Sequence, residues 1–277
     1  MKSFLSNLAL LSLFAFALVS CGGDEPEVKS AAKEIAKMDT NTPEGAFKAS
    51  MVALKSNDLK SLFKQSMTDE QYNELATEFE KNKASGFSES DKAQFAQTMQ
   101  MLTADGAEDQ LMAMVGPQLE QARAMMPMML AMGKDQMIMS IKNNPMVPEG
   151  QREASAEIAG AVVDWLGEND VLSEDVTRKA LREVINTAKA LDMTSLDALQ
   201  NMSFDQALDK GSMALGGLKN VLDVYGISMD DMVNSMDVSN VQVNGDTATM
   251  DVAFEIFGKE INQTMNMIKK GDKWISE

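Results

Sequence analysis

There is no histidine in these 277 residues, and there is a single cysteine, Cys21. Without an imidazole or a spare thiol, the chain lacks the usual general base, the usual zinc and copper(II) ligands and a thiol nucleophile. Aromatic side chains are scarce as well; two tryptophans and two tyrosines offer little surface for stacking sugars. Positive charge is the minority, with 25 Lys and Arg against 42 Asp and Glu and a formal net charge of −17. Phosphate-rich partners draw their affinity largely from cation contacts, so nucleic acid and anionic lipid are excluded as good partners. Calcium or a basic protein would suit the charge better, although acidity alone is an ordinary property of a well-hydrated surface.

What is present begins at the N-terminus. Lys2 is the only charge before position 21, and Leu8 to Val19 (LALLSLFAFALV) is an apolar run of secretory-signal length, too short for a comfortable membrane span. Residues 1–20 are therefore expected to be a signal peptide rather than part of the fold. The stretch Leu18, Val19, Ser20, Cys21 resembles the lipobox of bacterial lipoproteins. The resemblance implies that the Cys21 thiol is alkylated with diacylglycerol, that the peptide is cut before Cys21 and that the new amino group is acylated. It implies a membrane partner reached through lipid, where each buried CH2 adds about 0.8 kcal/mol. With Gly22 next, it implies an outer-membrane location facing the periplasm. An ordinary signal peptide with an accidental cysteine is the competing reading. Residues 21–41 are glycine-, proline- and charge-containing, with a weak helical pattern in the middle, and are expected to form a flexible tether reaching roughly 25 Å.

From Thr42 the punctuation is that of helices, and residues 42–236 are expected to form a helical body. Thr42-Pro43-Glu44 is a start signal before Phe47, Met51 and Leu54. Asn57 and Asp58 break that run. Thr68 with Gln71, and Ser203 with Gln206, have capping-box spacing. Ser173 precedes Glu174 and Asp175, where carboxylates complement the positive end of a helix dipole. KNKASGFSES reads as a loop, Pro148 introduces the helix carrying Ile158, Val162, Trp165 and Leu166, and GSMALGG is a flexible interval in a later helix.

Twelve of the 25 methionines lie between positions 99 and 146. Met125, Met129 and Met132 have helical spacing, interrupted by Pro127, and packing into a core is the first expectation for such a face. A deformable binding surface made of Met125, Met126, Met128, Met129, Met132, Met137 and Met139 is the second, since methionine is flexible and polarizable. Copper(I) held by thioethers is the third, and sacrificial oxidation the fourth. The alternating pairs Met99/Met101, Met112/Met114 and Met137/Met139 could chelate only from an extended segment, because residues two apart on a helix diverge by about 200°.

From Val238 the period changes to two. VQV, Asn244-Gly245 and TATMDVAFEIF give strand, type I′ hairpin turn and strand, with Ala248, Met250, Val252, Phe254 and Ile256 on one side. Two further segments, around Ile261 to Met267 and Lys273 to Ile275, complete an antiparallel meander over 237–277 with one wet face, packed on the helices. The fold class predicted is α+β, predominantly α-helical, a helical body with a small C-terminal antiparallel β-meander. TPEGAFKASMVALKSNDLKSLFK near the start, with VNGDTATMDVAFEIF and MIKKGDKWIS at the end, resembles the terminal parts of secreted domains with the nuclear-transport-factor-two-like cone fold. That resemblance implies a curved sheet around a helix, with roughly 170 mostly helical residues inserted, and transfers no site residue.

Ser61/Lys64 and Ser30/Lys33 match the Ser-x-x-Lys spacing of penicillin-recognising enzymes, but no Lys-Thr-Gly partner follows. Asp105, Glu108 and Asp109, and the pair Asp230-Asp231, resemble calcium clusters in charge and lack the alternating loop spacing. No catalytic residue and no resident cofactor is expected beyond the lipid on Cys21. The function read from the sequence is a lipid-anchored cell-envelope protein of non-catalytic type, binding an envelope protein or an apolar ligand through methionine-rich helices. Copper(I) binding and an unrecognised hydrolase are the alternatives.

Overall fold

A computed structural model describes residues 31–147 and 151–277. The signal segment, the lipobox with Cys21, the start of the tether and Pro148 lie outside the described residues. The chain is predominantly helical and closes with a four-stranded antiparallel sheet.

The caps read in the sequence start the helices. On α1 (Pro43–Lys55), Thr42 Oγ1 accepts the Gly45 amide at 3.1 Å and Pro43 fills the first turn, where its missing N–H costs nothing. Asp58 accepts the Ser61 amide at 2.9 Å and opens α2 (Leu59–Ser66). The Thr68 capping box opens α3 (Asp69–Ser85), and Ser88 caps α4 (Glu89–Thr103). The loop predicted over 81–90 thereby contracts to 86–88. Then come the 36-residue α5 (Ala107–Lys142), α6 (Arg152–Glu168), α7 (Glu174–Leu191) capped by Ser173, and the single turn α8 (Asp197–Gln200). The Ser203 capping box opens α9 (Phe204–Val224), and α10 (Met229–Asn234) leads to the sheet.

The sheet is a meander of β1 (Asp237–Asn244), β2 (Thr247–Ile256), β3 (Lys259–Lys270) and β4 (Lys273–Ser276). Asn244 pairs with Thr247, so the turn residues are Gly245 and Asp246, one position later than predicted. Only Gly245 has positive φ, 62°, which marks a II′-like turn rather than the predicted I′, in which both central residues are left-handed. Ala248, Met250, Val252 and Phe254 are buried, while Thr247, Thr249 and Glu255 face water. Ala46 and Phe47 of α1 and Ala154 of α6 cover that apolar face, and Ile261, Met267 and Trp274 complete the cluster. A second cluster joins Met99, Leu102, Leu111, Ile185 and Ala188 from α4, α5 and α7.

Two readings differ from the sequence expectation. GSMALGG is continuous helix within α9, and its glycines serve close packing: a Cβ on Gly216 would stand 2.9 Å from Asn57 Nδ2. One turn on, buried Lys219 donates to Lys55 O at 2.7 Å and to Asp230 Oδ1 at 2.6 Å, which satisfies a carbonyl at the negative end of α1. The tether expected over 21–41 is packed over its described part. Residues 31–35 are helical, Ala31 and Ile35 are buried, and Ile35 meets Ala49 and Ala53. Ala31, Ile35 and Met38 recur at helical spacing, enough apolar surface to hold a short segment against α1. The Trp274 indole N–H also donates to Asn41 O at 2.9 Å.

The return of this segment over α1 fixes Gly45. A Cβ there would lie 2.0 Å from Asp39 O and 2.7 Å from Asp39 C, both backbone atoms. Gly45→Ala is therefore expected to destabilise the protein by about 1 to 3 kcal/mol, read as a lower urea midpoint. An unchanged midpoint would refute the close approach.

The outward face of α5 as a candidate functional site

Helix α5 is held from one side by ion pairs. Arg123 pairs with Asp170, Lys134 with Asp164 of α6, and Lys142 with Glu153 at 2.7 Å. Lys259 of β3 reaches the same Asp164 at 2.8 Å, so one carboxylate ties α5, α6 and the sheet together. In the first turn, Glu108 accepts Arg182 of α7 at 3.1 Å and Asp109 accepts Arg178 at 2.9 Å. Leu130 and Ile138 face α6, where their Cδ1 atoms would contact a Cβ added at Gly167 (3.9 Å) and Gly160 (3.5 Å).

The opposite side of α5 meets nothing among the described residues. At about 100° per residue, Met114, Met125, Met128, Met129, Met132 and Met139 fall within about 60° of Met125, while Arg123 and Lys134 point about 160° and 180° away. These methionines are exposed: Met114 57%, Met125 45%, Met128 59%, Met129 65%, Met132 74% and Met139 62%. Gln118, Gln121 and Gln136 complete the strip, and Asp135 is the one charge on its rim. From Met114 to Met139 it spans about 37 Å of helix. Such a long, uncharged strip is unusual on a chain with a net charge of −17.

This corrects the first expectation for the methionines. The strip is not packed in the core, because α6 fills the space beneath α5 and Trp165 meets the tilted ring of Phe257 at 5.4 Å between ring centroids. Of the candidate set, Met125, Met128, Met129, Met132 and Met139 share the face. Met126 is half-buried and Met137 points about 120° from Met125. The helix runs unbroken through Pro117 and Pro127, so Pro127 does not interrupt the set of Met125, Met129 and Met132, and Met114 joins their face. The alternating pairs diverge as helical geometry requires, with Met112 buried and Met114 exposed.

The other candidates have ordinary occupations. Lys64 lies over the Tyr72 ring at 5.6 Å, and the Ser61 amide belongs to the Asp58 cap. Ser30 lies outside the described residues. Glu108 and Asp109 are matched by arginines and Asp230 by Lys219. Among the described residues, no group of three or more Asp, Glu or Cys is placed to hold a metal ion, and no helix is long and apolar enough to cross a membrane. A cleft of about 450 Å³ between the 31–38 segment, α1 and α10 is lined by Met38, Met51, Val233 and Met236, with Lys55 donating to Asn234 Oδ1 at 2.6 Å across its rim. No family model, no curated protein and no solved structure matches the chain.

Asp164 gives the clamp beneath α5 a pH signature. Hydrogen bonds from Lys134 and then Lys259 hold its carboxyl down at about 2, below its ordinary 3.8. A depressed carboxyl contributes stability above its unfolded value and loses it as pH falls through the folded value. Asp164→Asn is therefore expected to lower the melting temperature at pH 7 by at most a few degrees, as suits an exposed pair. The gap to the parent should narrow between pH 4 and pH 2. A pH-independent gap would show that the substitution acts through packing.

Proposed function

We propose that this chain is a lipid-anchored cell-envelope protein of non-catalytic type that docks another envelope protein along the outward methionine face of α5. The observation that carries the reading is the exposed, uncharged strip from Met114 to Met139. Its length of about 37 Å suits an elongated protein surface and far exceeds a small apolar ligand. The absence of Lys and Arg beside it disfavours a phosphate surface, and it lacks the Trp, Phe and Leu of helices that lie in a bilayer. Exposed apolar patches rimmed by polar residues mark interaction sites in soluble proteins, and Met125 to Met139 form such a patch here. The anchor rests on Leu18, Val19, Ser20 and Cys21.

One observation favours a second reading. Met125, Met128, Met129 and Met132 stand at i, i+3, i+4 and i+7, so four thioethers share two turns of one face, an arrangement suited to copper(I). A photocrosslinker at Gln136 in intact cells, read in variants of those four residues, separates the two. Replacing all four by Leu keeps the apolar surface and should leave a discrete crosslinked adduct, whereas replacing them by Glu should weaken association at least about tenfold, roughly 1.4 kcal/mol. An adduct indifferent to the Glu substitutions would defeat the docking reading. Copper(I) retained by the parent under reducing conditions and lost in the Leu variant would favour the metal.

The anchor is tested separately. Cys21→Ala is expected to leave an uncleaved, unacylated precursor. Retention in the membrane fraction with the same mass as the parent's mature form would overturn it.

A further inference from the structure

The apolar residues of α5 sort by chemistry as well as by side. Its inward side carries Leu111, Leu130 and Ile138, with Met112 the one methionine of the helix that is buried. Outward, between 114 and 139, every large apolar side chain is methionine. The same holds more widely: among the described residues, the large hydrophobics left exposed are methionines, with Val241 and Val243 as the exceptions. Apolar area alone does not ask for sulfur, because a leucine buries a comparable area. What the thioether adds is reactivity toward two-electron oxidants.

We propose that the outward face of α5 is a reversible methionine-oxidation site, at which sulfoxide formation turns the docking face polar and releases its partner. The release rests on the docking reading; the modification does not. With hydrogen peroxide the O–O bond breaks, one oxygen bonds to sulfur, and the other leaves as water. Sulfur loses two electrons and peroxide gains them. Hypochlorous acid transfers its oxygen in the same way and leaves chloride and a proton. The product is a polar, chiral side chain that enzymatic reduction returns to methionine.

The structure supplies the selectivity. Met99, Met112, Met193, Met250 and Met267 are 3%, 7%, 7%, 1% and 3% exposed, and Met99, Met250 and Met267 sit inside the clusters that hold the fold. The strip methionines lie open, on the side of α5 away from Arg123 and Lys134. Oxidation there leaves the ion pairs and the core untouched. The surface changes while the helix stays.

The test uses the full mature chain exposed to limiting hydrogen peroxide, with peptide mass mapping, circular dichroism and the neutral dye Nile red as the apolar probe. Met114, Met125, Met128, Met129, Met132 and Met139 should take up oxygen at least about tenfold faster than Met250 and Met267. Helicity should hold, dye fluorescence should fall, and methionine sulfoxide reductases of both epimer specificities should restore it. Replacing Met125, Met128, Met129 and Met132 by Leu should keep dye binding and remove most of its peroxide sensitivity. Equal oxidation rates for strip and core overturn the modification site whatever the dye does. Unchanged dye binding after the strip is oxidised overturns the release. Failure of the reduced parent to bind the dye counts against the docking reading, and the order of oxidation then decides the modification alone.

Discussion

The structure is organised by one demand: β2 presents Ala248, Met250, Val252 and Phe254 on a single face, and that face has to be covered. Helices α1 and α6 do so. Helix α6 then has two neighbours, with the sheet on one side and α5 on the other, and its buried positions are accordingly small: Ala154, Ala156, Gly160, Ala161 and Val163. Small residues let three layers approach closely, and Asp164 joins them by taking Lys134 from one side and Lys259 from the other. Helix α5 is thus an outer layer, and its far side is necessarily a surface. Composition decides what kind, and here it is methionine and glutamine rather than lysine and glutamate.

The two ends of the chain are also bound to each other. Trp274 on the last strand holds Asn41, Lys273 reaches Lys64 O at 3.2 Å, and Lys219 closes the end of α1 from the other direction. The first two helices and the last strand therefore lie together, with the intervening helices built outward from them. If Cys21 carries the lipid, nine residues separate it from the packed chain at Ala31, and the ten steps between them, even fully extended, set the body at most about 35 Å from the anchor. On that reading, the proposed docking face would sample partners close to its own membrane.

Local signals were legible because they are local. Thr42, Thr68, Ser173 and Ser203 start helices where their spacing said they would, and the alternation in TATMDVAFEIF named the buried face of β2. What the sequence hid was set by tertiary neighbours. Ala31, Ile35 and Met38 are too few to announce a helix, and only their fit to Ala49 and Ala53 shows that the segment packs. The glycines of α9 look like flexibility until Asn57 is seen against Gly216. For the methionines, periodicity gave the face but not its side. The sign was available in charge, since Arg123 and Lys134 fall opposite Met125, yet Pro127 divided Met125 from Met129 and Met132.

The chemistry of the exposed strip follows from what the chain lacks. With no histidine and with Cys21 as the only thiol, lipidation at Cys21 would leave every sulfur in the mature chain a thioether. No thiolate then competes for a two-electron oxidant, and exposure alone ranks the sites. Under the docking proposal, a leucine strip would serve equally well and respond to no oxidant. A cysteine would respond, but its disulfide would couple the surface to a second thiol and to the redox poise around it. Methionine on a helix pinned from behind changes polarity while the helix keeps its place, as the proposed release of a docked partner requires.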